Sequence, residues 1–169
     1  LHPKNKRPIG IRHAYLALRY TYGREDIVGY GPRFEGAEFD GGRATLRFQA
    51  DSIGSGLVAA REGEPLDAFA IAGRDQVWHW ADAEIDGDSI ELSSADVPSP
   101  VAVRYAWAMN PSERNLLYNR EGLPASPFRS DDWPLFDPDA EPVLVLKPEK
   151  TEKAETCLLY TSPSPRDHQ

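Results

Sequence analysis

Val101-Ala102-Val103-Arg104-Tyr105-Ala106-Trp107 carries the clearest strand signature in the chain. Val101, Val103, Tyr105 and Trp107 alternate with Ala102, Arg104 and Ala106. Because successive side chains of a strand point to opposite faces, this spacing puts the large apolar set on one face. Leu46 and Phe48 alternate with Arg47 and Gln49 in the same way. Asp86-Gly87, set between Ala83-Glu84-Ile85 and Ile90-Glu91-Leu92, is a hairpin signal, since glycine tolerates the positive φ of tight turns. Further turns fall at Asp40-Gly41-Gly42 and Gly73-Arg74-Asp75.

Strand-like runs at Ile27 to Tyr30, Arg43 to Ala50, Gly56 to Ala60, Leu66 to Ala72, Gln76 to Ala81, Ser89 to Ser93 and Val101 to Trp107 number about seven, as in a sandwich. The expected fold is mainly β, an antiparallel β-sandwich preceded by one short amphipathic α-helix. That helix is read from Pro8, which suits a first helical turn, and from Ile11, Tyr15, Leu18 and Tyr22 at helical spacing before Gly23. Arg12 and Arg19 form its solvated face. Residues 108–134 lose alternation and gain Asn, Pro and Gly, and read as an ordered irregular loop. Residues 135–156 are Pro- and acid-rich around Val143-Leu144-Val145-Leu146, and read as a linker or a final edge strand.

The chain has 169 residues, with 19 Lys and Arg against 27 Asp and Glu, a formal net charge of −8, and 40% apolar residues. That composition suits one globular domain with an appendage. The charge is uneven: residues 1–23 hold five basic and no acidic side chains, whereas residues 24–156 hold 13 basic against 26 acidic. A surface this acidic is a poor binder of a phosphate backbone, so nucleic acid is not an expected partner. Nor is a membrane, because no apolar run approaches the roughly 18 residues that span a bilayer. The single cysteine, Cys157, excludes an internal disulfide framework and a multi-thiolate zinc site.

The chain opens abruptly at Leu1-His2-Pro3-Lys4-Asn5-Lys6, with neither an initiator Met nor a signal segment, so preceding sequence is expected. Residues 157–169, Cys157-Leu158-Leu159-Tyr160-Thr161-Ser162-Pro163-Ser164-Pro165-Arg166-Asp167-His168-Gln169, read like one frame of a sequencing-library adapter. They are treated as a non-native, disordered tail.

Several motifs fail on spacing. Gly54-Ser55-Gly56-Leu57-Val58-Ala59 matches a dinucleotide fingerprint, but Gly63 and Pro65 leave no room for the helix that would meet the pyrophosphate, so it reads as a turn. Asp137-Pro138-Asp139-Ala140-Glu141 lacks the glycine and the terminal acid of a calcium loop. His2, His13 and His79 have no common metal spacing, and no serine stands in a G-x-S-x-G elbow. No cofactor is expected. Trp78, Trp80, Trp107 and Trp133 would serve either as core or as a platform for sugars, and core is favoured because each indole buries so much area. Arg104, among apolar neighbours, is expected to pair with an acid of the Asp131-Asp132 loop.

Taken in order, His2-Pro3-Lys4-Asn5-Lys6, Gly54-Ser55-Gly56-Leu57, Phe69-Ala70-Ile71-Ala72-Gly73, Val101-Ala102-Val103-Arg104-Tyr105-Ala106-Trp107, Asn115-Leu116-Leu117-Tyr118-Asn119 and Gly122-Leu123-Pro124-Ala125-Ser126-Pro127-Phe128-Arg129-Ser130-Asp131-Asp132-Trp133 resemble the C-terminal portion of a sialate O-acetylesterase. The resemblance covers residues 1 to about 134. It implies that residues 1–23 close an SGNH-type α/β hydrolase domain, that residues 24–134 form an accessory β-sandwich domain, and that the family's catalytic histidine is His2. His2 would act as general base toward a serine that precedes Leu1, with O-acetylated sialic acid or another acetylated carbohydrate as substrate. The isolated chain would then be inactive, and the whole protein periplasmic or secreted. The alternative is a non-catalytic module, either glycan-binding through Trp78, Trp80 or Trp133, or a structural brace.

Overall fold

The computed structural model describes residues 5–108, 111–112 and 114–134. The expectations for His2, for residues 135–156 and for the tail with Cys157 lie outside the described residues.

Helix α1 (Arg7–Leu16) opens with Pro8 in its first turn, where a missing N–H costs nothing, and Asn5 Oδ1 accepts the Arg7 N–H at 3.1 Å. A π-helical turn, Ala17–Thr21, continues it, with the Tyr22 N–H bonded to Ala17 O at 3.0 Å, and Gly23 at φ +67 ends the run. The expected apolar stripe is not covered by the rest of the described chain. Neither helical segment has a buried residue, Ile11 and Tyr22 are exposed, and Tyr15 and Leu18 are half-buried.

The chain then builds three antiparallel sheets. β1 (Phe34–Asp40), β2 (Arg43–Phe48), β6 (Asp82–Asp86) and β7 (Ser89–Ser93) form one, in the order β1-β2-β7-β6. β4 (Phe69–Ala72), β5 (Trp78–Trp80), β8 (Ala102–Tyr105) and β10 (Phe128–Arg129) form the second, in the order β10-β8-β4-β5. β3 (Leu57–Ala59), which follows the short helix α2 (Ala50–Ile53), pairs with β9 (Leu117–Asn119). Both tight hairpins turn at glycine: Asp40↔Arg43 closes around Gly41 at φ +55, and Asp86↔Ser89 around Gly87 at φ +58.

The two four-stranded sheets supply one core. Ala44, Leu46 and Phe48 of β2 and Ile90 and Leu92 of β7 join Phe69, Ile71, Val103, Tyr105 and Phe128 of the other sheet. Each such side chain removed from water contributes about 1.5–3 kcal/mol. Phe128 lies at the centre of the aromatic contacts, stacked on Phe34 at 4.2 Å and 5.4 Å from Tyr105.

β4 and β8 are buried on both faces, which simple alternation does not anticipate. Large residues Phe69, Ile71, Val103 and Tyr105 face the main core, while the small Ala70, Ala72 and Ala102 leave room on the reverse face for Trp78, Trp80 and Trp133. In this second cluster Trp78 is buried, and Trp80 and Trp133 pack against it half-buried. Trp78 and Trp133 meet edge to face at 5.6 Å.

Other departures are local. Residues 27–30 form no strand, whereas β1, with Glu35, Gly36 and Glu38 in its sequence, does. It pairs on one side only, so its outward positions tolerate charge. The stretch 108–134, expected to be irregular, contributes β9 and β10 and a bridge between Tyr118 and Pro124. Trp107 does not continue the alternation of β8, because Ala106 turns to φ +48.

Candidate functional site

A groove of about 260 Å³ separates α1 from the β-rich part, lined among others by Ile9, Arg12, His13 and Leu16 of the helix and by Tyr30, Pro124 and Ser126. It lies on the helix that follows His2 in sequence. The helix is held close by Gly29, where a Cβ would come within 2.9 Å of the Tyr20 ring, and the rings of Tyr20 and Tyr30 lie 5.5 Å apart. Gly31 is more restrictive, since a Cβ there would stand 2.0 Å from the carbonyl oxygen of Pro124. Arg33 stacks over the Tyr30 ring at 4.6 Å, and its Nη2 alone donates to both carboxylate oxygens of Asp51, at 3.0 and 2.8 Å.

Asn119, fully buried at the end of β9, ties this region together. Its Nδ2 donates to Tyr30 O and Ser52 O, both at 3.1 Å, and its Oδ1 accepts the Leu123 N–H at 2.9 Å. Asn115 does the same for residues 61–65: its Nδ2 donates to the carbonyls of Arg61, Glu64 and Pro65, and its Oδ1 accepts the Arg61 N–H at 2.7 Å. In each case one buried amide satisfies backbone groups that no strand pairs.

On the outer face of β8, Arg104 pairs with Asp131 as the sequence suggests, at 2.9 and 2.8 Å, with both side chains buried. The guanidinium also lies 4.2 Å over the Trp78 ring.

The start of β4 and the end of β8 share an unusual conformation. Ala68 and Ala106 have φ of +66 and +48, and the Ala106 N–H bonds to Ala68 O at 2.9 Å. An alanine in this region costs about 1–2 kcal/mol, so the surrounding packing must impose it. Beside them the buried Asp67 carboxylate accepts from the Ala68 N–H at 2.8 Å and from the Ser112 hydroxyl, and lies 3.5 Å from Arg114. Arg129 lies 5.7 Å from the Trp107 ring centre.

The Gly54-Ser55-Gly56 segment is a turn, as its spacing indicates: Gly54 and Gly56 have φ of +63 and +128. Glu121 fastens it, accepting from the Ser55 N–H at 2.9 Å and from its hydroxyl at 2.7 Å. Burial alone would raise the Glu121 carboxyl, but these hydrogen bonds hold it below its ordinary value.

Among the described residues, neither His13 nor His79 is hydrogen-bonded to a serine hydroxyl; His79 lies 3.6 Å from the exposed Asp96. No group of three or more His, Cys, Asp or Glu among the described residues is placed to hold a metal ion. No described helix is long and apolar enough to cross a membrane. The anchors Asn115, Asn119 and Glu121 escape the sequence reading, because their roles depend on partners about 50 to 90 residues away.

No family model and no curated protein matches the chain. Among solved structures it is similar to a carbohydrate acetylesterase from Xanthomonas citri, at 48% identity with a TM-score of 0.71. The match covers 78% of this chain and 29% of that one, so the chain spans under a third of the neighbour's length.

Proposed function

We propose that this chain forms the C-terminal part of a carbohydrate acetylesterase, in which an SGNH-type hydrolase domain ends at residues 1–23 and the β-sandwich of residues 24–134 braces it. The observation that carries this reading is the 48% identity to the Xanthomonas citri enzyme. The helix α1, which has no buried residue and an exposed Ile11, offers the face on which such a hydrolase domain would pack. The preferred substrate is O-acetylated sialic acid, and the site of action lies outside the cytosol.

His2 acts as general base in this reading. Its imidazole takes the proton of a serine hydroxyl as the oxygen attacks the acetyl carbonyl, and returns it to the departing sugar hydroxyl. Water then releases acetate from the acyl-enzyme. The serine and the oxyanion-hole donors come from sequence before Leu1, so the chain alone turns nothing over.

The test grafts residues 1–134 onto the preceding segment of the Xanthomonas citri enzyme in place of its own C-terminal part. The graft is expected to release acetate from O-acetylated sialic acid in preference to acetylated neutral sugars. His2→Ala is expected to lower kcat by about 10³-fold or more. An inactive graft, or one indifferent to His2→Ala, overturns the reading. Preference for neutral sugars overturns only the sialic acid assignment.

A further inference from the structure

The fold uses its four tryptophans unequally. Trp78 is buried, and Trp80 and Trp133 pack against it. Trp107 belongs to neither apolar cluster among the described residues and stays half-buried. An indole left out of the core forgoes the burial of about 150–250 Å² that it would otherwise gain.

The backbone holds it out. β8 ends at Tyr105, and the left-handed Ala106 breaks the alternation that would carry Trp107 inward beside Val103 and Tyr105. That conformation is fixed by the bond from the Ala106 N–H to Ala68 O at 2.9 Å, where Ala68 is itself left-handed. Paired strain of this kind, kept at the end of an otherwise regular strand, is characteristic of ligand sites.

The ring is also supported. The Arg129 guanidinium lies 5.7 Å from its centre, while Arg129 Nη1 donates to Trp133 O at 3.0 Å and lies 3.5 Å from the buried Asp131 carboxylate. Arg129 is therefore fixed from below and positions the indole. The pairing of β10 with β8 ends at Phe128↔Tyr105, so Trp107 follows the last paired residue of β8.

We propose that Trp107 contacts the sugar, its indole stacking on the apolar C–H face of an O-acetylated sugar ring, with Arg129 as the positioning residue. The inference takes its ligand class from the acetylesterase reading. Such a contact selects carbohydrate esters over simple acetyl esters without touching the scissile bond.

The full chain is titrated with the methyl glycosides of an O-acetylated sialic acid and of an O-acetylated neutral hexose, while the four indole N–H resonances are followed by NMR. The expected result is a saturable shift of the Trp107 resonance with that of Trp78 stationary. Trp107→Ala is expected to weaken binding about tenfold or more. A Trp107 resonance that stays put with both sugars, or unchanged binding by Trp107→Ala, overturns the proposal. Should the alanine variant not fold, the resonance shifts of the unmodified chain decide alone. Acetate release by the graft tests His2 separately: an active graft with a silent Trp107 removes the subsite only, and a responsive Trp107 with an inactive graft removes the esterase reading only.

Discussion

Arg104 and Asp131, 27 residues apart, form a two-pronged ion pair at 2.9 and 2.8 Å with side chains only 6% and 1% exposed. A pair so fully withdrawn from water is a liability once broken, because the surviving charge is left without a partner. Asp131→Leu alone is therefore expected to cost about 3–5 kcal/mol. The combined Arg104→Met, Asp131→Leu variant should lie far closer to the parent, and urea midpoints of the four proteins in the cycle measure the coupling.

Tyr105 gives the chain an alkaline limit. Burial pushes its phenol up to about 12, against the opposing effect of the Leu117 N–H, which donates to the phenol oxygen at 2.9 Å. The folded value lies above the unfolded value of about 10, so the contribution to stability is complete below about pH 10 and is lost as pH rises toward 12. The loss is on the order of 2–3 kcal/mol. Denaturant midpoints at pH values across that window should fall more steeply for the parent than for Tyr105→Phe, and equal slopes would refute the assignment.

Asn119→Ala removes a group that serves Tyr30 O, Ser52 O and the Leu123 N–H at once. Leaving those buried groups unsatisfied is expected to cost about 3 kcal/mol or more. Calorimetry should show the fall in Tm, and a change within about 0.5 kcal/mol would show that water takes over the role.

Gly31→Ala should be among the most damaging single-methyl additions, since the new Cβ would meet the Pro124 carbonyl at 2.0 Å. The expected loss is about 3 kcal/mol. Gly36→Ala, where nothing stands within 4 Å, is the control and should be near neutral. Thermal melts of the two variants side by side make the comparison.

The parts of the fold that the sequence revealed are those governed by neighbours along the chain. The β6–β7 hairpin could be read from Gly87 between two alternating triplets, and the partner of Arg104 from its charge in an apolar run. What escaped depends on distant neighbours. β1 is an edge strand whose glycine and glutamates mask its pairing with β2, and Phe128 lies in a segment without alternation although it stacks on Phe34 and Tyr105. Trp107 misled for the same reason: its period matches β8, and only the contact between Ala106 and Ala68, 38 residues away, diverts it. The candidate catalytic residue, His2, came from a resemblance of ordered motifs, since a histidine before a helix has no spacing of its own to mark it.

The sheet order also has a consequence for how the chain emerges during synthesis. β4 waits more than 25 residues for β8, and β8 then waits for β10 and for the carboxylate of Asp131 to neutralise its arginine. Because domains dominated by distant pairings fold slowly, and because β10 and Asp131 follow the other strands in sequence, the β10-β8-β4-β5 sheet is completed only after residue 131 has left the ribosome. Until then the two sheets hold their aromatic faces open, and a polypeptide cut even a few residues before Asp131 would keep a buried arginine that nothing answers.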